Sequence, residues 1–165
     1  MVFALATLVL LMVTAWCDIA TRTIPDTLCL LLLVVGGSTR ILDGPAAIAL
    51  SAATAMLLFL LLLLVYSRGL IGGGDTKIMT AMAVGLAPFD IYRFVVATAV
   101  AGGVLAVAYF LLSYRVHGNR GSQPLSLLRR VAAIESWRIR RRGSMPYGVA
   151  IAAGGAFVLL HPGSH

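Results

Sequence analysis

The chain has 165 residues, 60% of them hydrophobic and 12% charged, with a formal net charge of +7. Soluble domains average about 25% charged residues; half that amount cannot coat a water-soluble fold of this length, so lipid forms part of the solvent and the class is integral membrane. The basic balance does not indicate nucleic-acid binding. Eight of the thirteen basic residues (Arg115, Arg120, Arg129, Arg130, Arg138, Arg140, Arg141 and Arg142) fall in one stretch between apolar segments, where they serve first as a topology determinant and an anionic-lipid contact.

The first predicted span runs from about Val2 to Cys17 and closes at Asp18; no basic stretch precedes it, so it reads as a retained span rather than a signal peptide. The second runs from Thr27 to about Leu42 and the third from Ala46 to Tyr66. A short fourth, about Ile78 to Pro88, lies between Lys77 and the polar pair Asp90/Arg93. The fifth covers about Phe94 to Tyr114, and a short sixth Tyr147 to His161. Full crossings need about 17–25 residues, so the fourth and sixth require little tilt, a thinned bilayer or extension into their loops. The expected fold is an all-α polytopic membrane bundle of about six transmembrane helices, with five as the rival count. It forms a single integral-membrane domain over residues 1–165 with a basic loop at about 115–145.

With six spans, the loops after spans one, three and five share one side. They hold Arg22, then Arg68 and Lys77, then the arginine block; the opposite loops hold Arg40 and Arg93, each beside an aspartate. The positive-inside rule puts the former in the cytoplasm and both termini outside. Asp18 and Asp75 then share the cytoplasmic face.

Acids at the edge of membrane spans are costly and ask for an explanation. Asp18 opens the string Asp18-Ile19-Ala20-Thr21-Arg22-Thr23-Ile24-Pro25-Asp26. Pro25 suits the first turn of the next helix, Asp26 suits its positive N-terminal end, and Arg22 stands at the spacing of an intrahelical ion pair with Asp18. Asp75 follows Gly72, Gly73 and Gly74, glycines that end the third helix, free the backbone for positive φ and permit close approach of another chain. Each acid also has a structural explanation, a helix-end ion pair for Asp18 and a capped interhelical turn for Asp75. Phosphate cradling by the glycines lacks a preceding strand and the Walker spacing.

Together, two carboxylates on one membrane face suit an aspartyl hydrolase. Close acids cannot both ionise cheaply, so one holds a proton while the other activates water against a scissile carbonyl. His117, His161 and His165 form no triad or HExxH pattern, and Cys17 and Cys29 form no CxxC pair. Neither a metal nor a cofactor is expected.

The Asp18 string, the Gly72–Asp75 string with Lys77, and the run Met145-Pro146-Tyr147-Gly148-Val149-Ala150-Ile151 resemble the type IV prepilin peptidase family of GxGD intramembrane aspartic proteases. The resemblance implies a catalytic pair of Asp18 and Asp75, with Gly72, Gly74, Lys77, Arg22, Pro25, Pro146, Tyr147 and Gly148 shaping the site. It implies a prepilin substrate with a hydrophobic helix, cut at the cytoplasmic face of a bacterial inner membrane. Asp26 departs from the family, which usually carries Asn there, and leaves a third carboxylate near the pair. Without the cysteine-paired region of longer members, the chain resembles the short tight-adherence (Flp-type) form, which implies proteolysis without N-methylation. Archaeal-type preflagellin peptidases use the same chemistry and stand as the alternative. A small transporter subunit is the alternative of a different class, in which the acids relay protons or cations.

Overall fold

The computed structural model describes residues 2–115, 147–161 and 163. Among them are six helices and no strand: α1 (Val2–Thr21), α2 (Asp26–Leu42), α3 (Pro45–Ser67), α4 (Gly73–Val84), α5 (Pro88–Arg115) and α6 (Tyr147–Leu160). The arginine-rich loop from residue 116 onward and Pro146 lie outside the described residues.

α1, α3 and the stretch Pro88–Leu111 of α5 are long and apolar enough to cross a bilayer. Their outer faces carry Leu5, Val9, Met12 and Trp16 on α1, Leu57, Leu60, Leu61 and Leu64 on α3, and Val96, Val100, Val104 and Val107 on α5, all exposed. Water would not tolerate apolar surfaces of that extent, whereas lipid tails are their natural solvent. The protein is a membrane protein.

The two short helices form the interior. α4 packs against α2, α3 and α6, and α6 also packs against α1 and α5. Thr76, Ile78, Met79, Ala81, Met82 and Ala83 of α4 are buried, as are Ala150, Ile151, Gly154, Gly155 and Val158 of α6. At about 1.5 Å per residue, the 12 residues of α4 extend only about 18 Å. That length suffices because neighbouring helices, rather than lipid, surround it.

Small residues set how closely these helices approach. A methyl group at Gly36 of α2 would stand 2.8 Å from the Cα of Gly85, the residue capping α4. One at Gly154 of α6 would stand 2.8 Å from the backbone nitrogen of Thr98 on α5. In lipid, such backbone-to-backbone packing supplies the attraction that hydrophobicity does not. Two interior threonines are bonded within their own helix: the Thr7 hydroxyl donates to the Phe3 carbonyl at 2.9 Å, and that of Thr14 to Leu10 at 2.8 Å. At the end of the bundle away from Asp18, Arg40 ties α2 to α3. Its Nε donates to the buried Ser51 hydroxyl at 3.0 Å, and its Nη1 lies 2.8 Å from Asp43 Oδ2.

Four expectations from the sequence are corrected. The fourth helix starts at Gly73 and stops at Val84, because Gly85 caps it and Pro88 opens α5 instead of closing α4. Asp90 and Arg93 accordingly lie in the first turns of α5, paired at 3.1 Å, and not in a loop. Pro25 is the N-cap of α2 and precedes its first turn, with φ −62° and ψ 137°. The glycine run takes no positive φ: Gly72 sits at φ −73°, Gly73 and Gly74 are helical, and among the described residues the positive-φ glycines are Gly44 and Gly69.

Candidate active site

Buried residues on α1 recur as Thr7, Leu11, Thr14 and Asp18, one stripe at helical spacing. Asp18 is the last rung of that stripe and is 6% exposed. α1 then ends sharply. Arg22 takes φ 57°, the left-handed conformation that normally falls to glycine, while its N–H donates to the Asp18 carbonyl at 3.0 Å. Hydroxyls fasten the turn: Thr21 donates to the Cys17 carbonyl at 2.8 Å and Thr23 to Thr21 at 3.0 Å. Arg22 thus stands one residue past the end of α1, still joined to Asp18 by that backbone hydrogen bond.

The reversed chain returns over the start of α4. Ile24 meets Gly74, where a β-carbon would stand 3.6 Å from it, and Tyr66 at the end of α3 lies against Gly73. The close approach expected of the glycine run is therefore present, although positive φ is not. Asp75 occupies the first turn of α4 and takes a backbone hydrogen bond from Gly72, closing half of a capping box. A side chain at Gly72 would come within 2.9 Å of the Asp75 carboxylate.

Asp18 and Asp75 both lie at this end of the bundle, near enough for the Asp18 charge to act on Asp75. The third contributor is α6. The Gly148 N–H, in its first turn, donates to Asp18 Oδ2 at 2.7 Å, a buried contact between residues 130 apart. A methyl group on Gly148 would stand 2.9 Å from both Cβ and Oδ2 of Asp18, so glycine is the residue that lets the carboxylate reach the α6 amide. The positive end of α6 thus faces a carboxylate, an arrangement that favours negative charge.

The remaining site residues separate. Tyr147 lies over Gly102 of α5, 3.1 Å from the position of a β-carbon there, and braces α6 against α5. Lys77 turns away from Asp75 and pairs with Asp26 at 2.9 Å. Asp26 is thereby distinguished from the other two acids: its side chain is 76% exposed and engaged with a cation. Among the described residues there is no group of three or more His, Cys, Asp or Glu side chains suited to a metal ion. The sequence reading did not single out Tyr66, whose only signal is an aromatic residue at a span end, and it gave Ile24 no role of its own.

The model of the type IV leader peptidase family matches residues 5–107, which is most of the chain and includes both aspartate strings. The chain belongs to the type IV leader peptidase family. Membership makes it a peptidase in general terms, and α6 adds its contact to Asp18 from beyond the matched stretch. No curated protein and no solved structure matches the chain.

Proposed function

We propose that this protein is an aspartic endopeptidase that removes the leader peptide of Flp-like type IV prepilins, with Asp18 and Asp75 as its catalytic pair. The observation that carries the reading is the convergence of these two acids, 57 positions apart in the chain, on one end of the bundle within electrostatic reach of each other. The pair acts in its singly protonated form. The ionised carboxylate takes a proton from water, the water attacks the scissile carbonyl, and the protonated partner donates to the carbonyl oxygen as the tetrahedral intermediate forms. That intermediate collapses as the amide nitrogen gains a proton and leaves. The Gly148 N–H holds Asp18 in place through these steps, so little reorganisation accompanies the chemistry.

The site sits where α1 and α3 end and where α2, α4 and α6 begin, and the positive-inside rule assigns that end to the cytoplasm. A substrate whose cleavage site precedes a hydrophobic helix would present its scissile bond at this level, with the helix in the surrounding lipid. On the resemblance to the short form, the proposal covers proteolysis without N-methylation, in a bacterial inner membrane, with anionic lipid held by the basic loop. Co-expression with a Flp-type prepilin tests it. The precursor is expected to shift to the size of the trimmed chain, and mass analysis of the new N-terminus should find a free amine. A precursor of unchanged size would contradict the reading.

A further inference from the structure

We infer that the Asp26–Lys77 ion pair is a positioning pair that fixes the rotation of the first turn of α4, and with it the approach of Asp75 to Asp18. The inference rests on the catalytic pair proposed above. Lys77 Nζ lies 2.9 Å from Asp26 Oδ1. The two come from the strings that carry the acids: Asp26 follows Asp18 by eight residues, and Lys77 follows Asp75 by two.

Residues two apart on a helix are turned by about 200°. Asp75 and Lys77 therefore occupy opposite faces of α4, one toward Asp18 and the other toward the start of α2. A tie on the Lys77 face sets the direction in which Asp75 points. The turn needs such a tie, because its backbone passes from Gly72 through Gly73 and Gly74, residues with the least conformational preference of their own. Independent contacts show that the two strings meet: Arg22 reverses the chain at φ 57°, and Ile24 then seats on Gly74.

The exposure of the pair fits this role. Lys77 is 57% and Asp26 76% exposed, so water and salt screen the attraction and it adds little to folding. A weak tie trims the geometry of a soft turn without holding the bundle together.

The test uses the full chain in proteoliposomes with a Flp-type prepilin as substrate, comparing the wild type, Lys77→Asp, Asp26→Lys and the double swap. Each single reversal is expected to lower kcat about fivefold, with KM changed less than about twofold, and the swap to recover to within about twofold of the wild type. Wild-type kcat should fall between about 0.05 M and about 0.5 M salt, whereas that of Lys77→Ala should not. A loss in kcat with KM held, in single variants whose melts match the wild type, separates a positioning role from a folding defect, and rescue by the swap assigns it to the pair. Single reversals with wild-type kcat, or a swap no better than the singles, would overturn the inference while leaving the catalytic pair intact. An inactive wild type, or an active Asp18→Asn, would instead remove the reading on which it rests.

Discussion

The backbone N–H of Gly148 donates to the carboxylate of Asp18 at 2.7 Å and joins the start of the last described helix to the end of the first. Space at this contact is limiting, since a β-carbon on residue 148 would overlap Asp18. Gly148→Ala is therefore expected to displace the carboxylate, reduce prepilin processing by about tenfold or more, and lower stability by about 1–3 kcal/mol. Processing rate and a thermal melt in detergent measure the two effects.

A second substitution pair tests the interior packing. Gly36→Ala would force α2 away from Gly85 and is expected to destabilise the protein by about 1–3 kcal/mol. Gly37, whose β-carbon would meet only Val84 Cγ1 at 3.9 Å, should accept alanine neutrally or with a gain of about 0.5–1 kcal/mol from reduced backbone freedom. Equal melts for the two variants would contradict the close α2–α4 approach.

Arg40 predicts a stability effect without a catalytic one. Its guanidinium serves Ser51 and Asp43 at the end of the bundle away from the acids. Arg40→Ala should cost about 1–3 kcal/mol by unpairing these groups, while the folded fraction keeps its kcat. Thermal denaturation paired with active-site-normalised rates distinguishes the two outcomes.

On the proposed mechanism, activity requires one protonated and one ionised carboxylate, so kcat/KM should be bell-shaped. It should fall at low pH as the second proton binds, and at high pH as the remaining proton leaves. The two apparent midpoints belong to the pair and not to either residue. A rate that rises monotonically through both limbs would exclude a dyad mechanism.

Much of this was readable in the sequence, for identifiable reasons. Low charge and long apolar runs named the solvent and the helical class, and the glycine run and Pro25 marked helix ends by backbone chemistry. Asp18 was legible as an acid at a span edge, whereas its place as the rung that continues Thr7, Leu11 and Thr14 emerged only from the packing of α1. Boundaries failed where two signals competed. Pro88 was placed at the close of the fourth helix, although it opens the fifth, and Asp90/Arg93 suggested a loop although an i,i+3 pair also suits a first turn. The Gly148–Asp18 hydrogen bond and the Asp26–Lys77 pair were illegible because each depends on how α6 and α4 seat against α1 and α2. That seating is decided by tertiary packing at small residues, not by any local pattern.

The central claim is that Asp18 and Asp75 are the catalytic acids and Asp26 is not. Its most direct test is the cleavage of a Flp-type prepilin by the purified Asp18→Asn, Asp75→Asn and Asp26→Asn proteins, each confirmed folded by its melt. The account predicts uncut precursor with either of the first two, and processing within about fivefold of the wild type for the third, which loses only an exposed ion pair. Full processing by Asp18→Asn or Asp75→Asn, or none by a folded Asp26→Asn, would contradict it.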